Sequence, residues 1–220
     1  MATYDSEQQE QLDRIKHFWK QYGNLITWVL VLVLGAYASW TGYLYWQQQR
    51  AAAAGGLFEE LDRAASAGQV DQVRQAFADL KGQYGGTTFS EQGALLAARV
   101  AADAGKQDDA RAALQWLVDS GKNDSLVAVG RLRLAGVMLD AKEYDNAIKL
   151  LSAKMPAEFG ALAADRRGDV LQAQGKTAEA IAAYRQAWDE MDPSVEYRRL
   201  IEGKLTALGQ APQPRPGAAS

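Results

Sequence analysis

The sequence contains no cysteine at all. That excludes disulfides, thiolate zinc sites, a cysteine nucleophile and the lipid-modified cysteine of an outer-membrane lipoprotein. An oxidising compartment is thereby allowed but not required. Histidine occurs once, as His17 ahead of the apolar run described below, so a histidine metal cluster or a histidine-based catalytic triad in the C-terminal domain is excluded as well. Proline is scarce, with five residues, of which Pro212, Pro214 and Pro216 crowd into the last stretch of chain. The formal net charge is only −3 and is spread along the sequence. No Lys/Arg cluster is long enough to track a phosphate backbone, so nucleic-acid binding is not expected. What the sequence has in abundance is alanine, the best helix former, which with so little proline predicts an all-α protein.

Between Lys20 and Arg50 no residue is charged. The run over residues 25–46, LITWVLVLVLGAYASWTGYLYW, is long enough to span a bilayer, since about 20 apolar residues at 1.5 Å per residue cover some 30 Å. Trp28 near its start and Tyr43, Tyr45 and Trp46 near its end suit the membrane interfaces. The stretch is longer than the apolar region of a cleaved signal peptide, so it reads as a retained anchor despite the small residues Ala51–Ala54. Arg14, Lys16 and Lys20 precede it and Arg50 alone follows closely, which predicts a cytoplasmic N-terminus and an exported C-terminal domain. Gly35, Ser39 and Gly42 fall within about 40° of one another on a helical wheel. They form a candidate packing face for another membrane helix. Before the span, Leu12, Ile15, Phe18, Trp19 and Tyr22 recur at helical spacing, predicting a short amphipathic helix in residues 1–24.

From Leu57 the pattern changes to apolar residues at three- and four-residue steps, broken by short turns. Aligning Gly68, Gly105, Lys142 and Gly175 gives steps of 37, 37 and 33 residues, the period of a helical-hairpin array. The register extends outward. Leu61, Ala98, Ala135 and Gly168 precede the turns, and Val73, Ala110, Ala147 and Ala180 follow them. Phe77, Leu114, Leu151 and Tyr184 come next, large enough to fill space between hairpins. One hairpin cannot bury its apolar stripe alone, whereas several stacked hairpins share a continuous core. The spacing resembles the tetratricopeptide repeat, most closely from Gly175 to Tyr184. Gln107 and Thr177 depart from its usual aromatic after the turn, which Tyr144 keeps. The repeat domain is expected over residues 47–208. Asp192-Pro193 is read as the start of a closing helix from Ser194 to Leu208, followed by a disordered tail at 209–220. Gly85-Gly86-Thr87-Thr88 lacks a lysine and a preceding strand, so it reads as a loop and not a phosphate cradle. Asp108, Asp109, Glu158 and Asp165 are read as solvated helix ends.

No catalytic, cofactor-binding or metal-binding residues emerge, and a non-enzymatic protein-binding role is expected. By analogy with tetratricopeptide folds, the first helix of each hairpin lines a groove, here Phe58, Asp62, Leu95, Arg99, Leu132, Leu139, Asp165 and Asp169.

The order of features also resembles one family, the ancillary subunits of the bacterial SecYEG translocon (YfgM-like proteins). The resemblance is carried by Ile15–Gly23, the single span leaving through Tyr45-Trp46, the run Leu132–Ala135 and the hairpin Ala164–Ala187. It implies a single-pass inner-membrane protein with a periplasmic domain. It further implies contact with the SecYEG translocon and a membrane-anchored periplasmic foldase, and an adaptor or chaperone-like role toward secreted polypeptide clients. Two other roles fit the residues without the resemblance. One is a scaffold for another envelope assembly; the other is a regulator acting through its cytoplasmic N-terminal helix.

Overall fold

The computed structural model describes residues 3–212, with side chains from Lys16 onward except that of Phe18. The side chains of Leu12, Ile15 and Phe18, on which the expected amphipathic pattern rests, and the tail beyond Pro212 lie outside what is described. The chain divides into two units, residues 1–50 and 51–220. Helix α1 (Thr3–Ser66) contributes to both.

In the first unit the apolar side chains point outward. Leu32, Val33, Tyr37 and Trp40 are each more than 60% exposed. Exposed apolar surface of this extent marks contact with something other than water. The helix is also long and apolar enough to cross a membrane. Its aromatic end is internally tied: Tyr43 and Trp46 rings lie 6.2 Å apart, and the Arg50 guanidinium sits 4.8 Å from the Trp46 ring. Such rings with an adjacent cation suit the boundary between hydrocarbon and headgroups.

The second unit is a right-through stack of helical hairpins. The end of α1 is followed by α2 (Val70–Tyr84), then come α3 (Thr88–Asp103) with α4 (Gln107–Ser120), and α5 (Asp124–Asp140) with α6 (Tyr144–Leu151). A single 3-10 turn at Ala157–Phe159 leads into α7 (Gly160–Ala173) with α8 (Thr177–Glu190), and α9 (Arg198–Ala207) closes the array. Helix α3 touches α5, and α5 touches α7. The first helices of successive hairpins therefore share one side of the stack, the side on which a repeat groove is expected.

Every hairpin turn has one residue in the left-handed region: Gly68 at φ 68°, Gly105 at 74°, Lys142 at 60° and Gly175 at 77°. These are the four positions aligned from sequence. Each reverses the chain because the turn needs a conformation that only glycine adopts without a Cβ clash; Lys142 bears a cost of about 1 kcal/mol for it. The first shell of the register is buried as expected, with Leu61, Ala98, Ala135, Val73, Ala110, Ala147, Ala180 and Tyr184 all within the core. Between hairpins the register has a further feature. Twelve residues before their turns, Gly93 and Gly130 let α3 and α5 rest directly on Leu80 and Leu117 of the preceding helices. A Cβ there would come within 2.8 and 2.9 Å of those leucines.

One local expectation holds and one is revised. The loop Gly85–Thr88 does separate hairpins, and Thr87 caps α3, its side chain accepting from the Ser90 amide. The closing helix starts at Arg198, four residues later than expected. Asp192 does not cap a helix at Ser194. Its Oδ1 accepts from both the Ser194 amide and hydroxyl, a local turn that competes with helix formation.

At Gly168 a Cβ would stand 2.4 Å from Tyr184 Cε1, inside the last hairpin. Gly168→Ala should lower stability by about 1–2 kcal/mol, because overpacking outweighs alanine's higher helix propensity. At Gly136 nothing lies within 4 Å of the added carbon, so Gly136→Ala should raise stability by about 0.5–1 kcal/mol. Urea unfolding of the two variants checks the opposite signs.

Candidate protein-binding surfaces

The eight groove candidates fall on the first helices, but they do not form one equivalent row. Phe58, Leu95 and Leu132 each precede their turn residue by ten positions, and Asp165 is their fourth member. Asp62, Arg99 and Asp169 precede theirs by six. Leu139 is out of step; the matching residue is Gly136, which leaves open space above its backbone. Phe58, Leu95, Leu132 and Leu139 are half-buried against the core, with the Phe58 ring 5.8 Å from Phe89. Asp62 and Arg99 are exposed, and Arg99 Nε lies 3.8 Å from Asp103 Oδ2 along its own helix.

Asp165 and Asp169 behave differently. Asp165 is 1% exposed, which corrects its reading as a solvated helix end and as a groove carboxylate available to a partner. Lys204 of α9 donates to both Asp165 oxygens at 2.9 and 2.8 Å and to Asp169 Oδ1 at 2.6 Å. Tyr197 donates to Asp165 Oδ2 and Tyr184 to Asp169 Oδ1, each at 2.8 Å. Burial, reinforced by these carboxylates, pushes both phenols well above the ordinary tyrosine range. The cluster is a polar pin fastening α9 to the last hairpin. Sequence reading missed Lys204 and Tyr197. The available signal was the Asp165/Asp169 pair itself, two like charges one helical turn apart on a stripe otherwise filled with alanine, which need a cation.

A second ion pair closes the junction between the second and third hairpins. Arg111 on α4 grips Glu143 ahead of α6 through two bonds of 2.5 and 2.7 Å. The guanidinium's hydrogen bonds hold the Glu143 carboxyl far below its usual range, at about 2. Within the core, Glu91 is buried with Oε1 accepting from the Lys122 amide at 2.6 Å, which ties α3 to the loop before α5. Among the described residues no group of three His, Cys, Asp or Glu is placed to hold a metal.

On the membrane helix, carbons added at Gly35 and Gly42 would meet nothing within 4 Å. Ser39 donates its hydroxyl to the Gly35 carbonyl at 2.8 Å. The helix thus satisfies this hydroxyl itself, and the small-residue face is open and not polar in its demands.

Two predictions follow from the ion pairs. Lys204→Met leaves Asp165 buried without its cation and should cost about 3 kcal/mol, the lower end for a broken buried pair because Lys204 keeps 20% exposure. Adding Asp165→Asn should recover part of that loss; an unchanged urea midpoint for Lys204→Met would show that the pin carries no stability. For Glu143 the folded pKa is depressed, so its contribution is complete above the ordinary glutamate value and disappears as pH falls. Melting temperature should therefore drop between pH 4.5 and about 2. Arg111→Met should flatten that part of the pH profile.

Comparison with known proteins places these features together. Residues 16–210 match the tetratricopeptide repeat-like domain family. A curated relative from Neisseria gonorrhoeae, named ancillary SecYEG translocon subunit, is 32% identical over 94% of this chain and 100% of its own length. The protein of the same name from Escherichia coli is 28% identical over 94% of this chain and 99% of its own length. That from Haemophilus influenzae is 26% identical over 84% and 90% respectively. With its apolar N-terminal helix, its repeat register and a likeness that runs the length of both chains, this protein belongs to the ancillary SecYEG translocon subunit family.

Proposed function

We propose that the chain is a non-enzymatic accessory subunit of the protein-translocation machinery. In this reading residues 25–46 hold it in the inner membrane as a single-pass protein, with the N-terminus cytoplasmic and the repeat domain periplasmic. There it acts as an adaptor or chaperone-like partner for secreted polypeptides leaving the SecYEG translocon, in company with a membrane-anchored periplasmic foldase. The observation that carries the proposal is the extent of the family likeness, which takes in the membrane helix and the repeat domain alike. The excess of Lys and Arg before the span supports the orientation. The half-buried Phe58, Leu95 and Leu132 row, flanked by exposed Asp62 and Arg99, offers apolar and charged contacts of the kind an extended chain can use. The open Gly35/Ser39/Gly42 face supports close approach by a partner's membrane helix.

A photoreactive amino acid at position 39, irradiated in intact membranes, tests this directly. The expected product is a covalent adduct with a translocon subunit or the foldase. Adducts only to components of a different envelope assembly would favour the scaffold reading instead, and the absence of any translocon or foldase adduct would end the proposal. A reporter enzyme active only in the periplasm, fused after Ser220, should be active; activity of a cytoplasmic reporter at that site would overturn the orientation.

A further inference from the structure

Helix α9 ends in the same way as the first helix of every hairpin. Gly209 lies in the left-handed region at φ 71°, 34 residues after Gly175. Its amide donates to the Thr206 carbonyl and that of Gln210 to the Leu205 carbonyl, both at 2.9 Å. The same two bonds close the turns at Gly68, Gly105, Lys142 and Gly175. In that register Ile201 and Leu205 stand eight and four residues before the turn, where α5 has Leu134 and Met138. Helix α9 is therefore the first helix of a fifth hairpin, and among the described residues no second helix follows it.

A first helix has a side that the next hairpin covers. On α7 that side is marked by Asp165 and Asp169, ten and six residues before the turn, which meet Tyr197 and Lys204 of α9. The same positions on α9 are Arg199 and Gly203, with Leu200 beside them. Leu200 is 51% exposed, and a carbon added at Gly203 would meet nothing within 4 Å. Ala207, one turn further on, is exposed as well. In the turn ahead of α9, Val195 is 42% exposed. Val195 and Leu200 are the large apolar side chains that stand exposed among the described residues from 51 onward. The capping element of a repeat array needs a polar outer face if water is to cover it. An apolar face at the place where a further helix would pack marks a contact surface.

The charges beside this stripe select the occupant. Arg199 and Glu202 are both exposed and form no ion pair among the described residues. At about 100° per residue they lie along the same edge of the Leu200–Gly203–Ala207 stripe. When two such helices cross antiparallel about a two-fold axis, like edges meet, and each contact occurs twice. A crossing centred between Leu200 and Ile201 sets Arg199 of each copy opposite Glu202 of the other. It also brings the two Leu200 side chains together at the axis and sets each Val195 over an Ala207. The face is thus complementary to itself in charge and in shape.

We propose that the outer face of α9 is a two-fold dimerisation surface for a second copy of this chain. The contact runs through one ten-residue helix, less than a standard stable interface provides. Pairing is therefore weak between free domains and stronger when two copies are confined to one membrane, which raises their local concentration. The dimer needs neither a translocon nor a client, so this inference and the proposed function fail separately.

The absence of cysteine from the chain makes disulfide mapping a direct test. The full chain carrying Leu200→Cys is oxidised with copper–phenanthroline in isolated membranes. Leu200 is exposed, so the change leaves the Ile201/Leu205 core in place. The expected product is a covalent homodimer. Ala207→Cys should give only background dimer, because its two copies would stand about 20 Å apart along the crossing, beyond the roughly 7 Å reach of a disulfide. In the Leu200→Cys chain, Arg199→Glu and Glu202→Arg should each cut the dimer yield about fivefold by setting like charges opposite one another. The two reversals together should restore it. No homodimer from Leu200→Cys, equal yields at positions 200 and 207, or no recovery in the double reversal would each overturn the proposal. So would an adduct of Leu200→Cys to a different protein in place of the homodimer.

Discussion

A helical hairpin presents apolar residues on both flanks and can bury only one of them against its own second helix. Everything in the repeat domain answers that constraint. Stacking buries the remaining flank of each hairpin against its neighbour, with Gly93 on Leu80 and Gly130 on Leu117 as the points of closest approach. Stacking also passes the problem along the array until something ends it. At the C-terminal end that element is α9, whose Ile201 and Leu205 are fully buried. Those two side chains contribute about 2 kcal/mol each by area removed from water. That is modest against the entropy of ordering a ten-residue helix. The Lys204 pin adds direction as well as energy: Asp165 is buried and needs its cation, so α9 has one seat in which all the charges are satisfied.

The same register carries different chemistry at each junction. Where Arg111 meets Glu143, the second and third hairpins are locked by a bidentate pair over a floor of Leu134 and Met138. One hairpin earlier Asp71 and Lys106 make the cross-hairpin pair with the signs reversed, over a floor of Ala97 and Ala101. Because contacts in such an array are between nearest neighbours, a junction can be loosened without unfolding the next.

Much of the architecture was legible from sequence because it rests on strong local rules. The apolar run needed only length and charge. The turns needed a left-handed residue, and glycine supplied three of the four; Lys142 was identified by spacing, against its own propensity. What escaped was non-local. Lys204 and Asp165 are separated by 39 positions, and no pattern within either helix names the other. The start of α9 escaped for a different reason: Asp192-Pro193 satisfies both a helix cap and a turn, and only the Ser194 hydroxyl, by donating to the Asp192 carboxylate, decides between them. Leu139 stands out of step with the other groove candidates; the register assigns that position to Gly136.

The groove candidates divide along the same line. Residues whose role is set by the repeat itself, Phe58, Leu95 and Leu132, were found in equivalent places. Asp165 occupies the fourth such place, yet it is the one row member with a new neighbour, because no further hairpin follows α8. At the end of an array the position that would face the next repeat faces the cap instead, and here its side chain closes the stack. Terminal repeats should therefore be read with the cap's chemistry in view, and a buried carboxylate in the last first-helix is better understood as a fastening for α9 than as a contact for a partner.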